Sequence, residues 1–329
     1  MRKAIIFLLL LSVLAGPACQ QAEEEAFVFK VSLFVNEQDT WFQAFTYFDT
    51  ILRERSEGRI RLEIYPSEQL AKEIESIRLI QAGVIDMTVS GSLLSNWIEI
   101  ATFCELPFFL KNDKEQAEFI QGSVGKEIEQ AMLKKMGLRP VTYFIRGPRH
   151  LTSNKPIQSP EDLEGLIVRV PNVPSFVTAW AAMGAKPTPM AFSEVFTSLQ
   201  QGTIDAQENP LSLIYQAGFS EVQQYVNRTE HVMSWSYPII GEEQFQRLPE
   251  ELQLIFLEAA EDMQKYERQL FEENESRLEG LLKEKGMTFI EVDKSAFADK
   301  CEDAIFENLS VDMQSVYLKV NEEREIPSK

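Results

Sequence analysis

Cysteine and histidine are scarce in this sequence, and the motifs of common enzymes are missing. The 329 residues include three cysteines and two histidines, His150 and His231, which lie far apart. No cluster has the spacing of a metal site, and no serine-hydrolase, phosphate-loop or zinc-protease motif occurs. We therefore predict no catalytic residue, no cofactor and no metal, and we expect the many acidic side chains to form mainly a solvated surface.

The cysteines are too few and too widely spaced for a disulfide framework. Besides Cys19 there are only Cys104 and Cys301, and Cys104 has the apolar neighbours Phe103 and Leu106. We expect two buried free thiols, although an oxidising compartment would permit a bridge between them.

Positive charge is also in short supply. Lys and Arg total 32 against 51 Asp and Glu, and without Arg2 and Lys3 of the leader the balance is 30 against 51, or about −21. A chain this acidic argues against a nucleic acid as partner. The cations that matter for function should be few and specifically placed.

Long apolar runs are absent except at the amino terminus. Ala4–Ala15 follows two basic residues; it is too short to span a bilayer but has the form of a signal peptide. We predict residues 1–18 to be removed on export and Cys19 to be lipidated as in bacterial lipoproteins, although Gly16 stands where a leucine is usual. The alternative is that Cys19 is an ordinary residue of the leader. The predicted location is the periplasm or the outer face of the cytoplasmic membrane, with this lipid as the only membrane contact.

Strand-like and helical patterns alternate along the remaining chain. Phe27–Val35 is rich in β-forming residues, and Trp41–Glu57 follows with apolar residues at helical spacing. Glu68–Ala82 and Glu115–Lys135 predict two further helices, and the amphipathic run Leu248–Gly286 predicts a long helix lying across the whole molecule. The alternation predicts an α/β fold in which ligands lie at the carboxyl ends of parallel strands.

A short internal sequence repeat indicates two lobes of similar build. Leu79–Met87 resembles Ser198–Ala206, each at the end of a helical pattern, although glycine-capped helices are common enough for chance to explain it. Ser90 and Ser92 follow the first copy and either lie near a pocket or serve turn chemistry. We expect one lobe to comprise residues 27–146 plus about 235–275 and the other to comprise residues 147–234 plus about 276–329, with a small-molecule site between them.

Arg169 is the most informative single residue. It is the only charge in the apolar strand pattern Gly165–Pro171, where an unpaired guanidinium would cost several kcal/mol. Its partner is either a ligand carboxylate, which a guanidinium binds through two parallel hydrogen bonds, or one of the chain's own glutamates. Arg146 and Arg149 flank a predicted crossing between lobes, and Asn209 is either a polar ligand contact or a turn residue.

Five short motifs, spread along the chain, match the pattern of one protein family when they are taken together. They are Gly165–Pro171, Ser193–Asp205, Gln207–Leu211, Glu105–Phe109 and Gln81–Met87. Together they resemble the solute-binding proteins of TRAP (tripartite ATP-independent periplasmic) transporters, of the C4-dicarboxylate-binding type, over nearly the whole chain after the leader. The resemblance implies a two-lobed α/β fold of the periplasmic-binding-protein type II kind, each lobe a mixed sheet flanked by helices, with a long helix spanning both lobes.

The resemblance also implies the ligand contacts. Arg169 would clamp a carboxylate, and Arg149 would be a second cationic contact. The other cleft residues implied are Asn209, Phe192, Asn36, Glu73, Ser90 and Ser92. Trp235 and Trp41 are candidates for stacking on a sugar face, although core packing is the default for each. Gly91 stands where some relatives that bind larger sugar acids carry an acidic residue, which leaves the ligand open.

The predicted function is that of an extracytoplasmic solute receptor. It would bind a C4-dicarboxylate, a sugar acid such as a hexuronate or a related organic acid, and deliver it to a sodium-coupled TRAP membrane permease. Ligand binding would shift a hinge equilibrium towards a closed form. Two alternatives are a cell-envelope hydrolase or lyase that uses cleft carboxylates, and a ligand-sensing partner of a signalling receptor.

Overall fold

Two six-stranded sheets organise residues 26–325, the part of the chain that the computed structural model describes. The first sheet contains β1 (Phe27–Ser32), β2 (Ile60–Tyr65), β3 (Met87–Ser90), β4 (Leu138–Pro140), β5 (Phe144–Arg146) and β11 (Ser234–Gly241). Strand β1 runs parallel to β2 and β3, whereas β11 runs antiparallel to β3, β4 and β5. We call the part of the molecule built on this sheet lobe I.

The second sheet has the same mixed character. It contains β6 (Arg149–Ser153), β7 (Ile167–Val170), β8 (Lys186–Pro189), β9 (Ala206–Pro210), β10 (Tyr225–Asn227) and β12 (Thr288–Ile290), in the order β12-β10-β6-β9-β7-β8. Strand β7 is parallel to β8 and β9, and β6 is antiparallel to β9 and β10. This part is lobe II. The predicted fold class, two α/β lobes with mixed sheets, is confirmed, whereas the predicted lobe boundaries stay a prediction.

Helices cover both sheets. They are α1 (Thr40–Arg55), α2 (Glu73–Gln81), α3 (Asp113–Gln121), α4 (Ser123–Ala131), α5 (Pro174–Ala182), α6 (Val195–Gln200), α7 (Leu211–Gln216), α8 (Glu242–Gln246), α9 (Glu250–Glu284), α10 (Lys294–Asn308) and α11 (Val311–Glu325). Helix α1 begins where Asp39 Oδ1 accepts a hydrogen bond from the Trp41 amide at 2.8 Å, which satisfies one of the free amides of the first turn.

Helix α9 connects the two lobes. Its 35 residues correspond to a length of roughly 52 Å. Phe256 and Met263, in its first half, are buried in the lobe I core with residues of α1, whereas Leu278 and Leu282 are buried with residues of α6 and α7 in lobe II. The long helix predicted to span both lobes is therefore present.

Two predicted helices have different ends in the structure. The helix expected from Glu68 starts at Glu73, because Ser67 and Glu68 adopt left-handed conformations with φ of 55° and 57°. The single helix expected over Glu115–Lys135 is divided into α3 and α4, which meet at Gly122. Neither change alters the order of the strands.

The chain crosses between the lobes beside the cleft. Strand β5 ends at Arg146 in lobe I and β6 begins at Arg149 in lobe II, so only Gly147 and Pro148 separate the two arginines. A Cβ at Gly147 would lie 2.8 Å from Oε1 of Glu275, so the absence of a side chain here gives room to the Glu275 carboxyl group of α9. The crossing therefore places two cations at the hinge.

The two cysteines after the leader are buried free thiols, as predicted. Cys104 and Cys301 are buried and free, and burial raises the pKa of both thiols. Among the described helices none is both long and apolar enough to cross a membrane. The predicted signal peptide, residues 1–18, and Cys19 lie outside the described residues.

Candidate functional site

A cavity of about 280 Å³ lies between the lobes, next to the crossing. Loops that follow the carboxyl ends of β1, β3, β7 and β8 form much of its wall, the usual place for a ligand site in parallel sheets. From lobe I the wall includes Phe34, Trp41, Glu68, Glu73, Ser92, Glu105 and Arg146, and from lobe II it includes Arg149, Arg169, Asn172, Met190, Phe192 and Asn209. The cavity thus combines three arginines with carboxyl groups, amides and aromatic rings.

Arg169 enters this cavity from β7 and is only 4% exposed. Its Nε and Nη2 donate to the carbonyl oxygen of Met190, at 3.1 and 2.7 Å. No carboxylate of the described residues lies within 4 Å of the guanidinium, so the alternative in which Arg169 pairs with a glutamate of the chain is wrong. Burial lowers the pKa of Arg169 to about 10, and the group remains a cation at neutral pH.

Arg149 differs from Arg169 because its charge is fully paired. Its Nε and Nη2 donate to the two carboxylate oxygens of Glu208 at 2.5 and 2.8 Å, and Nη2 also reaches Oδ1 of Asn209 at 3.1 Å. Burial alone would raise the pKa of Glu208, but the Arg149 charge and the hydrogen bonds from His231 and Arg149 hold it below its usual range. The buried carboxylate therefore stays ionised and fixes the guanidinium.

His231 completes this buried cluster. Burial lowers its pKa, so the ring is neutral at pH 7. Its Nε2 lies 3.0 Å from Glu208 Oε2 and its Nδ1 lies 2.8 Å from the Thr229 hydroxyl. A neutral ring beside a carboxylate carries its proton on the facing nitrogen, so Nε2 donates to Glu208 and Nδ1 accepts from Thr229.

Carboxyl groups line the lobe I side of the cavity. The Ser90 hydroxyl donates to Glu73 Oε1 at 2.7 Å, and the Ser92 hydroxyl donates to Glu105. Loss of solvation raises the pKa of Glu73 to about 7. The remaining lone pairs of these carboxyl groups make this wall rich in hydrogen-bond acceptors.

The mouth of the cavity is bridged by side chains of both lobes. Lys72 Nζ of lobe I lies 2.5 Å from Glu194 Oε1 of lobe II, and both side chains are about half exposed. The rings of Phe34 and Phe192 meet edge to face with centroids 5.7 Å apart. The Asn36 amide donates to the Gln216 carbonyl at 3.4 Å. The two lobes therefore touch across the cleft and close it over the cavity.

The structure brings most of the predicted site residues together. Those that line the cavity are Arg169, Arg149, Asn209, Phe192, Glu73 and Ser92. Ser90 lies behind the wall and supports Glu73, whereas Asn36 faces a neighbouring groove beyond Phe34 and Phe192. The binding roles of these residues stay predictions.

Trp235 is placed differently from the prediction. Its side chain is fully buried and packs against Phe119, with ring centroids 5.7 Å apart, so it is not part of the cavity wall. Every residue of β11 is buried, so the strand offers no exposed face that would direct Trp235 to a ligand. Trp41, in contrast, reaches the cavity, where the Arg146 guanidinium lies 3.8 Å above its ring.

Several residues of the site carry no clear signal in the sequence. Glu105, Phe34 and Met190 line the cavity, and Glu208 lies buried behind the wall as the partner of Arg149. In the sequence both glutamates look like the many surface acids. The one signal for Glu208 is its position next to Asn209, within the motif Gln207–Leu211. Nothing in the sequence marks the Met190 carbonyl as the acceptor for Arg169.

Gly91 has a steric reason to lack a side chain. A Cβ at this position would lie 2.7 Å from the Trp235 carbonyl oxygen and 3.0 Å from the Ser236 hydroxyl. An acidic residue, as expected in relatives for larger sugar acids, would require β11 to move. The cavity thus has no carboxylate at this part of its wall.

Comparison with known proteins identifies similar chains. Residues 31–308 match the model of a family described as bacterial extracellular solute-binding protein, family 7. A solute-binding protein of Roseobacter denitrificans is 45% identical over 302 residues, which cover 92% of this chain and 93% of that protein. The 2,3-diketo-L-gulonate-binding periplasmic protein YiaO of Escherichia coli is 32% identical over 255 residues, which cover 77% of each.

Solved structures agree with these matches. A TRAP periplasmic solute binding protein from Roseobacter denitrificans, with bound L-galactonate, has a TM-score of 0.88 at 45% identity and covers 90% of this chain and 99% of its own. A TRAP periplasmic solute binding protein from Ochrobacterium anthropi, with bound L-fuconate, has a TM-score of 0.84 at 30% identity, covering 91% and 99%. The similarity thus extends over both lobes.

Replacing Glu208 by glutamine should destabilise the protein, because Arg149 would keep its buried charge and lose its counter-ion. We expect the free energy of unfolding at pH 7, measured by urea denaturation, to fall by about 3–5 kcal/mol. The control is Glu164→Gln, an exposed exchange in the same lobe that should change the value by less than about 0.5 kcal/mol.

The effect should also depend on pH. Because the folded pKa of Glu208 lies below the ordinary value of 4.5, its contribution is complete above that value and is lost as the pH falls through the folded pKa. The stability difference between the native protein and Glu208→Gln should therefore shrink in acid. A difference that stays constant down to about pH 3 would contradict an ionised Glu208.

Proposed function

The chain belongs to family 7 of the bacterial extracellular solute-binding proteins, the solute receptors of TRAP transporters, and we propose that it captures a six-carbon sugar acid between its lobes. The ligand class is supported by the relative that is 45% identical and was solved with L-galactonate. It is supported independently by the chemistry of the cavity wall, which combines a cation without a carboxylate partner with many groups that bind hydroxyls.

The observation that carries the proposal is the state of Arg169. The guanidinium is buried and charged, and its only side-chain hydrogen bonds among the described residues go to the Met190 carbonyl. A buried cation without a carboxylate is costly, and a carboxylate ligand supplies the missing charge. Arg169 thus binds the ligand carboxylate, and exclusion of water from the closed cleft strengthens the ion pair.

The remainder of the wall suits a chain of hydroxyl groups. Glu73 and Glu105 offer carboxyl oxygens to hydroxyl donors, and Asn172 adds polar atoms from lobe II. Phe34 and Phe192 present ring surfaces to the carbon backbone of the ligand. A fully apolar acid would supply no donor to the remaining lone pairs of these carboxyl groups, which is why a polyhydroxylated acid fits better than a fatty acid.

Arg149 and Asn209 have a supporting part in this proposal. The Arg149 charge is balanced by Glu208, so it does not compete with Arg169 for the ligand carboxylate. Its hydrogen bond to Asn209 Oδ1, together with the bond from Asn209 Nδ2 to Gln207, fixes the amide at the cavity wall. Arg149 therefore orients Asn209 towards the ligand.

Capture follows from closure of the two lobes. A ligand that contacts Arg169 on lobe II and the carboxyl wall on lobe I favours the closed form by its differential affinity for that form. The exposed pair Lys72–Glu194 adds at most about 1 kcal/mol to closure, so the ligand contributes the larger part. The closed form is the one delivered to the membrane permease of the transporter, which is sodium-coupled.

The receptor works outside the cytoplasm. We propose that residues 1–18 direct export and that Cys19 carries the lipid that holds the protein at the outer face of the cytoplasmic membrane. When the full-length chain is expressed with labelled palmitate, the native protein should take up label and Cys19→Ser should not. Label on Cys19→Ser, or none on the native protein, would contradict the lipid anchor and leave the binding function untouched.

Substitution of Arg169 tests the ligand site. Calorimetric titration with L-galactonate should show at least about 100-fold weaker binding to Arg169→Ala, because a buried charge pair is lost. Arg169→Lys should recover only part of the affinity, since an ammonium group cannot form two parallel hydrogen bonds. The exposed Arg61→Ala on β2 is the matched control and should bind as the native protein does.

The possible outcomes separate the candidate functions. Unchanged affinity of Arg169→Ala would rule out Arg169 as the carboxylate clamp. If the native protein binds no member of a sugar-acid library, the ligand class is wrong. Conversion of the ligand during long incubation, seen by NMR, would favour the hydrolase or lyase alternative.

A further inference from the structure

Arg146 is a third arginine of the cavity, and its surroundings differ from those of Arg149 and Arg169. It ends β5 in lobe I and is 6% exposed. The guanidinium carbon lies 3.8 Å from the ring centroid of Trp41 and 5.5 Å from that of Phe34. These distances are those of cation–π contacts, which hold the guanidinium in place without using its N–H groups as hydrogen-bond donors.

The hydrogen-bond donors of Arg146 have no acceptor among residues 26–325. The nearest carboxylate oxygen, Asp39 Oδ2, lies 3.5 Å from Nη2. Asp39 is held by its other oxygen, which caps α1 through the Trp41 amide. Burial lowers the pKa of Arg146, whereas the Asp39 charge opposes this change.

The other charged groups near Arg146 do not neutralise its positive charge. Burial raises the pKa of Glu267 to about 8, so this side chain adds no second negative charge beside Arg146 at neutral pH. Its Oε1 accepts a hydrogen bond from the Thr40 hydroxyl at 2.9 Å. Arg149 is paired with Glu208, and Glu105 lies 3.5 Å from Arg149 Nη1, so both of these carboxylates are directed to Arg149. Arg146 therefore offers the cavity a fixed set of N–H donors with one loosely held counter-ion.

We propose that Arg146 is a specificity-determining residue, which donates hydrogen bonds to oxygen atoms of the ligand chain remote from the carboxylate. The inference rests on the proposed function, since it assigns Arg169 on lobe II to the carboxylate and Arg146 on lobe I to the other part of the same ligand. The assignment of Arg146 restricts the ligand to longer sugar acids. A short acid would reach Arg169 and leave Arg146 without an acceptor.

The charges of the wall indicate which oxygen atoms Arg146 binds. Asp39 lies beside Arg146, and Glu208 pairs with Arg149, whose Nη1 also lies 3.5 Å from Glu105 Oε1. The ligand carboxylate neutralises Arg169. A second ligand carboxylate would be surplus and would face Glu73 and Glu105. The acceptors are thus neutral hydroxyl oxygens, and the ligand is a polyhydroxylated monocarboxylate.

The test combines a substitution with truncation of the ligand. Native protein and Arg146→Gln are titrated with L-galactonate and with a four-carbon aldonate of the same configuration at C2 and C3. Loss of hydrogen bonds from a charged donor should weaken L-galactonate binding about 10- to 100-fold and change binding of the four-carbon acid less than about threefold. Arg139→Gln is the matched control, because Arg139 also stacks on an aromatic ring, Phe245 at 4.5 Å, but does not line the cavity.

Equal losses for both acids would show that Arg146 only supports the fold and would overturn the proposal, as would unchanged affinity for L-galactonate. If Arg146→Gln does not fold, Arg146→Lys keeps the charge and the same pair of ligands is used. Titration of native protein with galactarate, which has a carboxylate in place of the terminal hydroxymethyl group, should show weaker binding than L-galactonate. Tighter binding of galactarate would contradict the assignment to neutral oxygens. Failure of native protein to bind any of these acids would instead contradict the proposed function.

Discussion

The central physical constraint of this molecule is the placement of three buried guanidinium groups around one cavity. Each must be compensated, because the cost of removing a charge from water exceeds what hydrogen bonds to neutral groups return. Arg149 is paired with Glu208 and Arg146 is stacked on Trp41 beside Asp39, whereas Arg169 is left with the Met190 carbonyl. The proposed binding of an anion in the cavity rests on this imbalance at Arg169.

Two connections between the lobes position these arginines around the cavity. The crossing from β5 to β6 separates Arg146 and Arg149 by two residues, so both lobes share one short segment at the base of the cleft. Helix α9 packs against lobe I near its start and lobe II near its end, so it is a second connection between the lobes. The buried pair of Arg149 and Glu208 lies wholly within lobe II, whereas Arg149 Nη1 also lies 3.5 Å from Glu105 Oε1 of lobe I.

Much of this arrangement could be predicted from the sequence, for identifiable reasons. Periodicity gave the strand and helix order, and the long apolar stripe predicted α9. Arg169 could be recognised because it is the one charge in an apolar strand. The partner of Arg149 could not, since Glu208 is 59 residues away and looks like any other acid until the strands are paired. Trp235 could not be placed either, because all residues of β11 are buried and no alternation shows which face meets the cavity.

The central claim is that the ligand supplies the carboxylate that the protein withholds from Arg169. The most direct measurement is calorimetric titration of native protein with L-galactonate and with L-galactonamide, which has the same hydroxyl groups and nearly the same shape but no charge. The account predicts that the acid binds at least about 100-fold more tightly than the amide. Similar affinities for the two would contradict it, because the buried cation would then not need an anion to complete the site.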